Sequence, residues 1–306
     1  MKLAFAGTPD FAAVILRGLI TSDHEVGLVI SQPDRRRGRR RKVSHTPVAE
    51  LALLAGLPLL QPARIGEVAQ EISRHDALVV AAYGQILRPD TLYATTKGAW
   101  NVHASLLPAY RGAAPIERAI MAGEQETGVS IMRMDEGLDT GPVALQHPTP
   151  IPPDMSGGEL TQTLADLGVK AIVEGMSKLE TSSLTLSEQD SCKATYAAKI
   201  EEEERVIRWS EKVRKVHDLA RALTPHIGAR TFHPEVSGPI KVLRTKVLEE
   251  SGEYSRPGTI LPGNGSILVA CGGGVLEITE LQMPGRRALA AADLLRGRPL
   301  SGAFEG

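Results

Sequence analysis

The chain has 306 residues, enough for two domains and a sizeable buried core. Lys and Arg number 35 against 36 Asp and Glu, and a net charge of -1 excludes a surface that is a polycation throughout, so any nucleic-acid contact must be local. Two cysteines, Cys192 and Cys271, are too few and too far apart for a disulfide framework and form no CxxC pair, as expected of a protein kept in a reducing cytoplasm.

Residues 1–7 (MKLAFAG) imitate a signal peptide, but Pro9 and Asp10 end the apolar run too early, so the mature chain is expected to begin at Met1. Residues 2–6 read as a strand. Thr8 is then expected as N-cap, Pro9 as the first helical residue and Asp10 as the acid that complements the helix dipole, with the helix running to about Leu19. Residues 25–31 read as the next strand. After a basic loop, 47–55 predicts a helix closed by Gly56, and 57–60 a short strand. Residues 77–82 (ALVVAA) lack polar alternation and predict a central strand buried on both faces. Further strands are expected at 98–103, 129–134 and 142–146, with a helix from Glu159 to about Lys178. Strands alternating with helices in this way predict a Rossmann-like open sheet with parallel strands.

From 182 to 204 the composition shifts to Ser and Thr and then to four glutamates, Glu201, Glu202, Glu203 and Glu204, which reads as a linker. An amphipathic helix near 210–223 and short β-type runs at 240–248, 267–271 and 275–281 predict a small OB-like barrel, closed by a helix at 288–296 that stops at Gly297. The expected domains are 1–189 with a basic loop at 33–46, a linker at 190–204, and 205–306. Residues 257–276 carry no charge, but six Gly and two Pro exclude a membrane helix.

Three clusters can carry chemistry. Asn101 and His103 lie two apart at a predicted strand end, so they project from the same face at the edge where open α/β sheets bind ligands. There an amide can donate to a developing oxyanion and an imidazole can move protons near neutral pH; the plainer alternative is a hydrogen-bonded pair tying the strand to its loop. Residues 135–141 (DEGLDTG) form an acidic loop in which Asp139 either orients His103 or caps its own turn. Arg35, Arg36, Arg37, Arg39, Arg40, Arg41 and Lys42 surround Gly38 and give residues 31–50 a charge of +5. Their mutual repulsion predicts a mobile loop that orders on a polyanion through guanidinium–phosphate contacts, against a merely solvated loop. GxGxxG, GxxxxGK[ST] and GxSxG are all missing, and the eight histidines form neither HxH nor HxxxH, so no metal site is expected. A triad of Ser105, His103 and Asp139 has poor geometry, because the serine follows the histidine by two residues on one strand.

The motifs GTPDFA (7–12), QPDR (32–35), AYGQIL (82–87), NVHASLLP (101–108), RGAAPI (111–116), TGVSIM (127–132) and MDEGLDTG (134–141) resemble, in order, those of the methionyl-tRNA formyltransferase family. YAAKI (196–200), PGTI (257–260) and LQMPGRR (281–287) extend the resemblance through the carboxyl-terminal part. NxHxSLLP with a downstream DxGxDTG marks folate-dependent formyltransferases as a group, whereas RGAAPI, the basic loop and the carboxyl-terminal part carry the tRNA assignment. The resemblance implies formyl transfer from 10-formyltetrahydrofolate, as a co-substrate and without a metal, to the α-amino group of methionyl initiator tRNA. It also implies a cytoplasmic enzyme with no obligate protein partner. By the same resemblance Asn101, His103 and Asp139 are the catalytic trio, and Ser105, Leu106, Leu107, Pro108, Ile86 and Leu87 contact folate. The seven basic residues of the loop contact tRNA, Arg39 matching the arginine that reaches the acceptor end, and 205–306 is an OB-like tRNA-binding domain. The alternatives are another folate-dependent N-formyltransferase, acting on a nucleotide sugar or a purine-pathway amine, and an RNA-binding protein with a decayed site.

Near-neutrality is itself a cancellation. Residues 205–306 hold 15 basic and 10 acidic side chains, so with the loop's +5 the remainder carries -11.

Overall fold

A computed structural model describes every residue except 38–41, 264 and 298–299. In chain order the elements are β1 (Lys2–Gly7), α1 (Asp10–Ile20), β2 (Glu25–Ile30), β3 (Arg35–Arg37), β4 (Lys42–Ser44), α2 (Pro47–Leu54), β5 (Leu59–Leu60), α3 (Ala69–Ile72), β6 (Ala77–Ala81), α4 (Pro89–Leu92), β7 (Ala99–His103), β8 (Arg111–Gly112), α5 (Pro115–Ala122), β9 (Glu126–Arg133), β10 (Val143–Pro150) and α6 (Gly157–Glu180). They continue with β11 (Tyr196–Ala197), α7 (Val213–Ala222), β12 (Ala229–His233), β13 (Val236–Glu249), β14 (Ile260–Leu261), β15 (Ile267–Ala270), β16 (Val275–Gln282), β17 (Ala288–Ala290) and α8 (Ala291–Gly297). Two units emerge: one comprises 1–115, 126–150 and 161–197, the other 116–125, 151–160 and 198–306.

The first unit is an open seven-stranded sheet in the order β10-β9-β7-β6-β1-β2-β5. β6 lies at its centre with all five residues buried, as an unbroken apolar run requires. The parallel expectation holds from β7 to β5, but β9 and β10 run antiparallel, because β9 lies against β7 in reverse and the short link to β10 makes a hairpin. Pleat alternation sends Ala4, Ala6, Leu78 and Val80 into one core layer with Ile30, Ile65, Ile72 and Leu92. On α6, Gly168 approaches Val102 and Ile15, and Gly18 of α1 leaves so little room that a Cβ there would lie 2.2 Å from Val169. Small residues thus bring α1 and α6 together.

The second unit is a six-stranded antiparallel sheet, β12-β13-β16-β15-β14, with β17 added on β16. The 14-residue β13 breaks register with β16 three times, and bulges of that kind bend a strand and curl its sheet into a half-barrel of the expected OB-like character. Its core holds Trp209 and Phe304 stacked with centroids 5.7 Å apart, and the Trp209 indole donates to Thr231 Oγ1 at 2.9 Å.

Four expectations are corrected. Thr8 does not cap α1: Pro9 takes the cap position and Thr8 Oγ1 donates instead to the Tyr83 carbonyl at 2.9 Å, tying two strand ends together. The arms of the basic loop, where a mobile loop is expected throughout, pair as an antiparallel ladder, Arg35 with Ser44 and Arg37 with Lys42. Residues 288–290 are a strand because they complete hydrogen bonds along β16, and the final helix starts only at Ala291. The stretch read as a linker contains β11, which pairs in parallel with β8.

Candidate active site

β7 runs between parallel β6 and antiparallel β9, and it delivers Asn101 and His103 to its carboxyl end. His103 is 5% exposed. Its Nε2 lies 2.9 Å from the Tyr110 carbonyl; a carbonyl only accepts, so Nε2 carries the hydrogen and Nδ1 is the nitrogen left to gain or lose one. Nδ1 faces Asp139 Oδ2 at 3.7 Å, beyond hydrogen-bond length, and so remains open to a third group.

Asp139 reaches this position from the loop between β9 and β10. Its backbone is left-handed (φ +53°), which turns the side chain inward. Asn101 Nδ2 donates to Asp139 Oδ1 at 3.4 Å and the Gly112 N–H to Oδ2 at 2.9 Å. Asn101 keeps a second amide N–H for a ligand. A second acid of the loop behaves differently: Asp135 Oδ1 accepts from the Gly137 N–H and from Thr140 Oγ1 at 3.1 and 2.7 Å, bracing the turn. The turn-bracing alternative is thus met by Asp135, whereas Asp139 lies 3.7 Å from His103 Nδ1 with no hydrogen bond to it.

Two further residues hold the loop. Gln189 Nε2 donates to the carbonyls of Asp139 and Gly141 at 2.8 and 2.7 Å. Its Oε1 accepts from Arg111 Nε and Nη2 at 3.1 and 2.8 Å, and Arg111 is only 2% exposed. Arg111 precedes Gly112 on β8, whose pairing with β11 is extended by the Arg111 N–H to the Thr195 carbonyl at 2.9 Å. Gly112 (φ +120°) admits no side chain, since a Cβ would lie 2.8 Å from the Ala197 carbonyl oxygen. Sequence patterns missed Gln189 altogether. The RGAAPI motif contained Arg111 and Gly112 without revealing what they bond.

Ser105 is fully buried and its hydroxyl donates to the Ala109 carbonyl at 2.6 Å, which occupies it and excludes a nucleophilic triad. Ser130 Oγ donates to the Ser105 carbonyl and accepts from the Leu107 N–H, and Gln146 Nε2 donates to the Leu107 carbonyl, so residues 105–109 are fixed from β9 and β10. Leu106 and Pro108 are half-buried and Leu107 is buried. Ile86 is 85% exposed, whereas Leu87 belongs to the core layer under the sheet. Arg35, Arg36, Arg37 and Lys42 lie on β3 and β4; Arg39, Arg40 and Arg41 lie outside the described residues. Among the described residues no three His, Cys, Asp or Glu side chains gather as metal ligands would, and no helix is long and apolar enough to cross a membrane.

An amide, an imidazole and a carboxylate at the carboxyl edge of an open sheet, with the nearby hydroxyl already bonded, can perform proton transfer and oxyanion stabilisation rather than covalent catalysis. That chemistry is the province of group-transfer enzymes. Residues 1–176 match the formyl transferase family and 199–299 the formyl transferase C-terminal domain, and the chain belongs to the methionyl-tRNA formyltransferase family of formyl-transferring enzymes. It is 64% identical to the methionyl-tRNA formyltransferase of Rubrobacter xylanophilus over 99% of each chain, and 43% identical to that of Marinobacter nauticus over 97% of this chain and 96% of the relative. Among solved structures, an N-formyltransferase from Helicobacter canadensis, in complex with folinic acid and dTDP-3-aminofucose, shares the fold (TM-score 0.67, 17% identity, 91% of this chain and 98% of that one). HypX from Aquifex aeolicus, in complex with tetrahydrofolic acid, does so as well (TM-score 0.68, 17% identity, 100% of this chain and 48% of that one).

Proposed function

We propose that this chain transfers the formyl group of 10-formyltetrahydrofolate to the α-amino group of methionine esterified to initiator tRNA, giving N-formylmethionyl-tRNA in the cytoplasm. The observation that carries the reading is the convergence of Asn101, His103 and Asp139 into one polar cluster in a chain so similar to methionyl-tRNA formyltransferases.

The neutral amine attacks the formyl carbon and the carbonyl oxygen becomes an oxyanion. The second N–H of Asn101 and the Nδ1–H of protonated His103 stabilise that oxyanion. Asp139 balances the imidazolium and relays the proton from the attacking amine to the departing folate nitrogen, after which the C–N bond to folate breaks. Residues 105–108, held by Ser130 and Gln146, support the folate with exposed Ile86, while Leu87 backs that wall from the core. The basic residues 35–42 and the domain at 205–306 engage the tRNA through its phosphates.

A single-turnover assay with formylated folate and charged initiator tRNA tests the whole reading. Formylmethionyl-tRNA is expected. Its absence, with formylation of an amino sugar nucleotide or a purine precursor amine in its place, would transfer the chain to another formyltransferase activity.

A further inference from the structure

We propose that Gln189, locked by Arg111, is a positioning residue that sets the carboxylate of Asp139, an inference that rests on the part given to Asp139 in the proposed reaction. Gln189 sits in an otherwise exposed segment: Ser187, Glu188 and Asp190 face solvent while Gln189 alone is half-buried. Its amide is fully used. Both Nε2 hydrogens go to carbonyls of the Asp139 loop, two residues apart, and both contacts on Oε1 come from one guanidinium.

Those bonds fall on the residue that most needs holding and on the turn just after it. Asp139 adopts a left-handed backbone that L-residues avoid, and the direction of its side chain depends on that φ. Fixing the carbonyls of Asp139 and Gly141 fixes the peptides at that turn, so the carboxylate stays between the Asn101 amide and His103 Nδ1. Arg111 makes the arrangement one-directional. Its guanidinium can only donate, so it forces the Gln189 oxygen to its own side and the NH2 group toward the loop. The same strand presents the Gly112 N–H to Asp139 Oδ2, so one two-residue element grips the acid at its backbone through Gln189 and at its side chain directly.

The test uses the intact chain with Gln189→Ala and Gln189→Glu, the second keeping size and an acceptor for Arg111 while turning a carboxylate onto the two carbonyls. For both, kcat is expected to fall about 10- to 100-fold, the scale of a displaced catalytic group, with KM for tRNA and folate within about 3-fold. Amide exchange in residues 134–141 is expected to quicken at least about 10-fold while the β6 and β7 amides keep their protection. Combining either change with Asp139→Asn is expected to add little, because Gln189 acts through that carboxylate. Unchanged exchange in the loop, or losses that multiply fully with Asp139→Asn, would overturn the proposal. If the unaltered chain formylates no methionyl-tRNA, the proposed function fails by itself, and the exchange measurement still decides whether Gln189 sets the loop.

Discussion

Two charged, glycine-containing loops stand out in this chain, and the structure treats them in opposite ways. The acidic loop before β10 is bonded to β7 through Asn101, to β8 through Gly112, and to Gln189 beyond α6. The basic segment between β2 and α2 has a three-residue ladder joining its arms. The difference suits the roles proposed for the two loops. Proton transfer depends on tenths of an ångström and needs a carboxylate held from several sides. Attraction of a polyanion falls off over a Debye length of about 8–10 Å and needs charge more than geometry.

The sharpest way to break this contrast is to remove the held groups. Asn101→Ala, His103→Ala and Asp139→Asn are each expected to lower kcat by about 100-fold or more with the fold intact; near-normal turnover for any of them in a steady-state formylation assay would reject its role. Next comes the strand that grips the acid. Gly112→Ala places a Cβ 2.8 Å from the Ala197 carbonyl oxygen at a φ of +120°, so a loss of about 1–3 kcal/mol in stability and a fall in kcat of about 10-fold are expected. Chemical denaturation alongside kinetics checks both halves.

The basic loop should respond in another currency. Arg39→Ala is expected to raise KM for tRNA several-fold and to flatten the slope of log affinity against log salt by a little under one unit, with folate binding untouched. Equal salt slopes for the variant and the parent, measured by filter binding, would remove Arg39 from the interface.

The smallest expected effect lies in the second unit. Arg118 donates to both oxygens of Glu204 at 2.6 and 2.9 Å, and with the Glu201 N–H it draws the Glu204 carboxyl down to about 2 from an ordinary 4.5. A depressed acid stabilises the folded state above its unfolded pKa and loses that contribution as pH falls through its folded value. Glu204→Gln should therefore cost stability at pH 6, and the deficit should fade between about pH 4.5 and pH 2. The Glu204 side chain is about one-third exposed, so screening limits the deficit to about 1 kcal/mol. Parallel acid titrations of the two proteins, showing a constant gap through that window, would contradict the assignment.

How much of this was legible in the sequence depended on the range of the interactions. β6 could be read from the apolar run at 77–82 alone, and Asn101 with His103 from a two-residue spacing, because both patterns are local. Asp139 could be placed in a loop, but its approach to His103 needs the β7–β9 register, and the residue pattern alone left its role open. Helix α5 and the two-residue strands β8 and β11 left no periodic trace. Gln189 left none either: a glutamine among serines and acids looks like any solvated residue until the fold sets Arg111 beside it. The misread ends share a cause, since Thr8 and residues 288–290 have good helix credentials but found better partners in Tyr83 and β16.

The pairing of β8 with β11 joins residues 85 positions apart and has a consequence for how the site is assembled in time. A chain emerging from the ribosome has Asn101, His103 and Asp139 in hand well before Gln189 and Thr195 appear. A fragment ending with the formyl transferase match at residue 176 would contain the whole polar trio and lack both strands' union and the glutamine behind the acid. The chemistry proposed for the trio is thus encoded early, and its geometry is completed only by the segment that leads into the second unit.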